Sequence, residues 1–380
     1  MEFSKDQTDA IESIADWYKH HINDLPVYIM AGAAGTGKST LISQIRNYLP
    51  PISIAYCAFT GKASTVLRRK MRECGISEDR VSTIHALMYK PIINSTTKEV
   101  IGWKKNETLG VDLIIVDEAS MVPKEIYEDL LSYKIPVLFV GDHFQLPPVS
   151  EHVFNLMENP FIKLEKPHRF AENSPIIHLS TMIRNKETVA YGTHGPNIAK
   201  RRIKDVSSIE KQLFFQSEEL RRGESIILCG FNKTRAKLNN SVRKHFGYEG
   251  LINNEERIVC LKNNSRTNIP LYNGSIGTIK HVAKQYTHEF YAHVDMDGFS
   301  DHFRGKIYKD VFGVEKPEVY GRVRSVQCFD YGYVISVHKS QGSQWHRVCV
   351  FEEQCPLWEH SRWLYTAVTR AETELLIIKN

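Results

Sequence analysis

The stretch VYIMAGAAGTGKS, Val27–Ser39, decides the fold. Its first four residues form an apolar run of strand length. Gly32–Ser39 then matches G-x-x-x-x-G-K-[ST], and an amphipathic pattern follows from Ser39. A strand that enters a glycine turn and leaves as a helix is the building unit of a parallel sheet covered by helices. In that turn the backbone of Gly32, Ala33, Ala34, Gly35, Thr36 and Gly37 curls so that its N–H groups converge on phosphate oxygens, and the helix adds the positive end of its dipole. Lys38 is placed to reach the terminal phosphates and Ser39 to offer a hydroxyl to Mg²⁺. The pattern predicts a nucleoside triphosphate site.

Outward from that loop the same alternation continues. ISIAYCAF (Ile52–Phe59) precedes a helical pattern rich in Arg and Lys, and LIIV (Leu113–Val116) and VLFV (Val137–Val140) are further apolar runs of strand length. Strands apolar on both faces belong to buried parallel sheets, so the fold class is α/β. Asp117 and Glu118 follow LIIV, at the C-terminal end of a buried strand, where open α/β sheets bind ligands. An acidic pair at a strand end is commonplace alone. Beside a phosphate loop, Asp117 is expected to hold Mg²⁺ and Glu118 to orient and deprotonate an attacking water.

Composition bounds the rest. The 380 residues are 42% hydrophobic and 24% charged, which excludes wholesale disorder. No apolar run approaches the roughly 18 residues that span a bilayer, and MEFSKDQTDA lacks a secretory h-region, so a cytoplasmic protein without membrane association is expected. A formal charge of +5 permits a polyanionic partner without demanding one. The seven cysteines show no C-x-x-C pair or zinc spacing and read as reduced, packed thiols. No repeat and no heptad pattern is visible, and a monomer is expected.

The chain reads as two α/β halves, each carrying an inserted β element. Residues 1–170 make the first, with a hairpin projecting at about 88–105, where Asn-Ser-Thr-Thr separates two β-prone pieces. Residues 171–257 and 332–380 make the second, which includes SIILCG, RVCVF and ELLII. Short strands punctuated by Gly, Asn and Asp make 258–331 a small barrel-like insertion. The basic runs RRKMR (Arg68–Arg72) and KRRIK (Lys200–Lys204) read as solvated faces.

The remaining motifs, in order, resemble superfamily 1 helicases of the 1B class, in the RecD-like and phage Dda-like group, over nearly the whole chain. FSKDQTDAI, AFTGKAS, STIHALM, GDHFQLPPV, LEKPHRF, CGFNKTRAKLNNSVR, LYNGSIGTI, VHKSQGSQW and LYTAVTRA carry the likeness. It implies two RecA-like domains, the second with an SH3-like insertion. It further implies ATP with Mg²⁺, Gln7 as adenine reader, Gln145 as γ-phosphate sensor, and Arg169 and Arg370 as arginine fingers. Val337–Trp345 would couple nucleotide to the DNA track. Thr60, Lys62, His85, Asn232, His338, Lys339 and Ser340 are short polar or basic residues at predicted strand ends and suit backbone phosphates, while Phe59 and Phe231 suit base stacking. Gln344 stands where the family often has a Glu, which puts a ribose contact in doubt.

The expected function is an ATP-dependent DNA helicase that moves along single-stranded DNA and unwinds at single-strand/duplex junctions, with 5′→3′ movement implied by the resemblance alone. A DNA-stimulated translocase subunit of a recombination, replication or nuclease complex is a second reading. A non-catalytic nucleotide-dependent nucleic-acid-binding module is a third, disfavoured by the intact set of Lys38, Asp117, Glu118, Gln145 and Arg370. The resemblance points to a bacterial or phage source.

Overall fold

A computed structural model describes residues 3–76, 80–93, 100–147, 154–166, 174–264, 267–269, 271–299, 301–316 and 326–379. The chain divides into two units, Met1–Lys90 with Trp103–His178, and Pro91–Gly102 with Leu179–Asn380.

The first unit is built on strands β1 (Val27–Gly32), β2 (Ile54–Ala58), β3 (Arg80–Thr83), β6 (Leu113–Asp117), β7 (Val137–Gly141) and β8 (Ile162–Leu164). They form one sheet in the order β3-β2-β6-β7-β1-β8, with every pairing parallel. Every residue of β2, β6 and β7 is buried, as their unbroken apolar sequences require. Helices α1 (Lys5–Asp16), α2 (Lys38–Ile45) and α3 (Gly61–Glu73) cover one face through Ile11, Ile14, Leu41, Ile42, Leu67 and Met71. The short α4 (Ile84–Met88) and α5 (Lys124–Leu131) cover the other through Ile84, Leu87, Met88 and Leu130.

Strands β4 (Tyr89–Ile93) and β5 (Val100–Lys105) pair as a separate two-stranded sheet. Its root is strapped to the first unit. Lys105 Nζ meets Asp129 Oδ1 at 2.8 Å, the Tyr89 hydroxyl donates to Asp129, and Tyr133 Oη donates to the Met88 carbonyl at 3.0 Å. The tip around Asn94–Thr97 lies outside the described residues.

In the second unit, β9 (Gly192–Gly195), β10 (Ile198–Arg202), β11 (Ser225–Cys229), β18 (Val334–Ser336), β19 (Trp345–Glu352) and β20 (Ala371–Lys379) form a sheet in the order β18-β11-β19-β20-β10-β9. All its pairings are parallel except β9 with β10. Between β11 and β18 the chain makes a third six-stranded sheet from β12 (Arg257–Cys260), β13 (Ile276–Gln285), β14 (Glu289–Met296), β15 (His302–Tyr308), β16 (Val326–Gln327) and β17 (Phe329–Tyr331). Strand β14 alternates half-buried and buried residues without a break, as a sheet with one packed face must. One core joins the two sheets, with Ile227, Cys229 and Val242 packed in the same cluster as Ile258, Phe290, Phe303 and Phe329.

This unit holds several buried ion pairs. Arg243 meets Glu256 at 2.5 Å, Lys200 meets Glu352 at 2.6 Å, and Arg235 pairs with Asp330. Arg202, Ile203 and Lys204 are exposed, as the reading of KRRIK as a solvated face expects, and Lys200 is the exception to it. Strand β10 is an interior strand paired with β20, and Lys200 is only 5% exposed. A buried ammonium is tolerated there because a carboxylate neutralises it. Five of the seven cysteines are buried, and all seven are free thiols. Among the described residues, no helix is long and apolar enough to cross a membrane.

Candidate nucleotide and nucleic-acid sites

The parallel sheet of the first unit carries its candidate residues along one edge, because each follows the C-terminal end of a strand. In sheet order these are His85 after β3, Phe59 and Thr60 after β2, Asp117 and Glu118 at the end of β6, Gln145 after β7, and the phosphate loop after β1. Neighbouring strands lie about 4.8 Å apart, so the acidic pair stands two strands from the loop with Gln145 between them. The nucleic-acid candidates occupy the far end of the same edge.

The loop itself explains its glycines. Gly37 caps α2 in the left-handed region at φ 80°, and a Cβ there would meet Gln7 Nε2 at 2.5 Å. A Cβ on Gly32 would meet Thr36 Oγ1 at 2.7 Å. Lys38 folds over the loop, its Nζ donating to the carbonyls of Gly32 at 2.8 Å and Ala33 at 3.0 Å. Gln7 is buried with both ends of its amide in use. Its Oε1 accepts from the Ser4 N–H at 3.0 Å, and its Nε2 donates to the Thr36 carbonyl at 3.0 Å. It therefore braces the phosphate loop from the first turn of α1.

Asp117 Oδ1 accepts from the Glu118 N–H at 2.9 Å. Glu118 has φ 53°, the left-handed region that a β-carbon disfavours, and such backbone strain clusters at functional sites. Gln145 is buried, and its side-chain oxygen accepts no hydrogen bond among the described residues. Ser39 and Asp117 supply the hard oxygen donors that Mg²⁺ takes. The Ser39 hydroxyl accepts from Lys70 Nζ at 3.1 Å, a contact that no motif signals.

At the far end, Thr60 Oγ1 caps α3 by accepting from the Ala63 N–H at 3.2 Å, and Phe59 packs partly buried against the core. The His85 ring lies 4.4 Å from Tyr89 and 5.0 Å from Trp103, at the root of the β4–β5 hairpin, and burial lowers its pKa. The Lys62 side chain and Arg169 lie outside the described residues.

In the second unit, β18 and β11 are neighbours, and their C-terminal ends bring His338 and Lys339 of the helix Val337–Ser340 beside Phe231 and Asn232. Phe231 is 39% exposed and tilts against Trp358 at 5.3 Å, and Trp358 also faces His338 at 6.5 Å. Glu353 Oε2 accepts the N–H groups of Gly230 at 2.7 Å and Phe231 at 3.0 Å. Glu353 and Trp358 belong to a segment without a phosphate or helicase motif, so sequence reasoning missed both. Burial lowers the His338 pKa, and burial together with the Arg235 charge pulls Lys339 down to about 8. The Ser340 hydroxyl is buried and donates to the Val337 carbonyl at 2.7 Å, while Asn232 Oδ1 accepts from Arg235 Nε at 3.2 Å.

Arg370 and Gln344 sit at the opposite edge of this sheet, where β20 and β19 begin. Strand β18 ends level with Cys229, whereas β19 pairs Arg347 with Ser225. Strand β19 begins at Trp345, two residues before Arg347, so residues 337–344 run back across six residue levels, about 20 Å at about 3.3 Å per residue. One segment links the edge bearing His338 to the edge bearing Arg370. Gln344 is exposed, and Arg370 is 3% exposed.

The family model described as an AAA domain matches residues 2–196, and that of the UvrD-like helicase C-terminal domain matches residues 331–378. The ATP-dependent RecD2 DNA helicase of Deinococcus radiodurans is 27% identical over 368 residues, covering 90% of this chain. The chain spans only 45% of that relative's length. Two Pif1 helicases coordinating at forked double-stranded DNA give a structure of the same fold, with a TM-score of 0.58 and 19% identity, covering 99% of this chain and 92% of theirs. Bacteroides Pif1 bound to single-stranded DNA gives 0.56 and 18%, with coverage of 99% and 92%.

Proposed function

The chain belongs to the AAA-domain family and within it to the superfamily 1B helicases of the RecD-like and Pif1-like kind, and from that premise we propose that it is an ATP-dependent DNA helicase that translocates 5′→3′ on single-stranded DNA. The observation that carries the reading is the single sheet edge of the first unit. It lines up Thr60 and His85 with Asp117, Glu118, Gln145 and the phosphate loop.

On this reading the Lys38 ammonium exchanges the carbonyls of Gly32 and Ala33 for terminal phosphate oxygens when a triphosphate enters. The loop N–H groups and the first turn of α2 bind the remaining oxygens. Glu118 orients and deprotonates the attacking water, and the buried Gln145 oxygen accepts from it. Mg²⁺, held by Ser39 and Asp117, would neutralise charge on the phosphates. Arg370 supplies positive charge late in the cycle and couples hydrolysis to closure of the RecA-like domains.

Thr60 and Lys339 grip backbone phosphates, Phe231 stacks a base, and residues 337–344 carry the nucleotide state to the grip. The β4–β5 hairpin separates the strands at a junction with duplex. The test is ATP hydrolysis with and without oligo-dT. Stimulation by oligo-dT in the wild type, and its abolition with retained DNA binding in Lys38→Ala, are expected. Residual wild-type turnover in Lys38→Ala would overturn the phosphate-site assignment.

A further inference from the structure

Lys70 lies in RRKMR, read from sequence as a solvated basic face, yet its ammonium donates to Ser39 Oγ at 3.1 Å. That oxygen is the hydroxyl that the phosphate motif offers to Mg²⁺. Glu73, the acidic residue closing the same helix, is taken by Arg69 at 3.8 Å. Helix α3 is continuous from Gly61 to Glu73 and packs against α2, which carries Ser39. Its N-cap is Thr60, the candidate DNA contact. At 1.5 Å per residue, Lys70 stands about 15 Å along the helix from Thr60.

We propose that Lys70 is a positioning residue, a latch that withholds the Ser39 hydroxyl from the metal until single-stranded DNA engages α3. An ammonium within hydrogen-bond distance of that oxygen competes with Mg²⁺ for its lone pairs and repels the divalent cation. Both cannot be held there together. A phosphate gripped at Thr60 acts on one end of a stiff rod, and a small tilt of the rod withdraws Lys70 at the other. DNA binding then favours the metal-loaded nucleotide, and by linkage the metal-loaded nucleotide favours DNA by the same factor. The inference rests on the reading of Thr60 as a DNA contact.

The experiment titrates the full chain with a fluorescent ADP analogue, with and without Mg²⁺ and with and without oligo-dT. In the wild type, the gain in affinity supplied by Mg²⁺ is expected to be larger when oligo-dT is present. Lys70→Met removes the charge and keeps most of the stem. It should raise the DNA-free, Mg²⁺-supported affinity about tenfold, within the usual range of coupling between sites, and leave oligo-dT little to add. Lys70→Arg should behave as the wild type.

A Lys70→Met protein that melts normally but matches the wild type in both titrations overturns the latch. So does one that binds the nucleotide more weakly with and without Mg²⁺, since Lys70 would then be a phosphate ligand. Failure of the helicase reading is a separate result: a wild type that shows no DNA-stimulated hydrolysis at all.

Discussion

The Nη1 of Arg370 donates to the carbonyl of Ser343 at 3.2 Å, one residue before Gln344. Its Nε donates to the Thr366 carbonyl at 3.0 Å and its Nη2 to Thr369 Oγ1 at 3.1 Å, so each guanidinium nitrogen makes a bond inside its own unit. Nη1 and Nη2 each carry a second N–H that can meet a phosphate, while the bond to the Ser343 carbonyl ties the fork to the loop before Gln344. Arg370→Ala should slow hydrolysis by about 10³-fold or more while changing nucleotide affinity little, as read by single-turnover kinetics and binding titration. Its melting temperature should fall as well, because three internal bonds are lost. Arg370→Lys keeps the charge without the fork, and it should recover melting more than turnover.

The hairpin makes a second, separable prediction. Asp129 receives both Lys105 and the Tyr89 hydroxyl, and these hydrogen bonds hold its carboxyl below the ordinary value. Asp129→Ala should free the root of β4–β5 and cut strand separation by about ten- to hundredfold, the cost of misplacing a working group by an ångström. DNA-stimulated ATP hydrolysis should survive. Unwinding that survives with it would remove the hairpin from the mechanism.

Lys339 gives a pH dependence whose sign is fixed by its burial. Its folded pKa of about 8 lies below that of a free lysine, so the fold disfavours the ammonium form. From this group alone, stability is lowest below about 8 and improves as pH rises toward the ordinary lysine value. A phosphate contact has the opposite demand, because it needs the charge. Oligo-dT affinity should therefore weaken between pH 7 and pH 9, and Lys339→Met should flatten that part of the profile. An unchanged slope in the variant would release Lys339 from the DNA track.

The Arg243–Glu256 pair predicts a stability effect away from every candidate site. Glu256 is fully buried and also accepts from the Asn253 N–H at 2.7 Å, while Arg243 Nη2 reaches the Gly250 carbonyl at 3.0 Å. Removing one partner leaves the other charge buried and uncompensated. Glu256→Ala should cost about 3–5 kcal/mol in chemical denaturation, with DNA and nucleotide binding intact at low temperature.

Much of this was legible in the residues. IAYCA, LIIVD and VLFVG are apolar on both faces, and burial on both faces is what a parallel sheet demands. The run Gly32–Ser39 could be read because its glycines stand where a side chain does not fit, as the left-handed Gly37 against Gln7 illustrates. Lys200 was not legible. A basic run looks solvated until its strand finds an interior place in the sheet and Glu352 arrives from far along the chain. Glu353, Trp358 and Lys70 were hidden for a related reason, since each meets its partner through tertiary packing and none sits in a pattern of fixed spacing. Thr60 shows a third case: its position is readable, but its hydroxyl also serves as a helix cap.

The most direct test of the central claim is strand displacement with ATP and Mg²⁺ on 5′-tailed, 3′-tailed and blunt duplexes, with Lys38→Ala as control and ATP hydrolysis read in the same tubes. Displacement of the 5′-tailed duplex alone, absent in Lys38→Ala, is expected. Displacement of the 3′-tailed duplex alone would contradict the direction, and DNA-stimulated hydrolysis without displacement of any substrate would contradict the helicase.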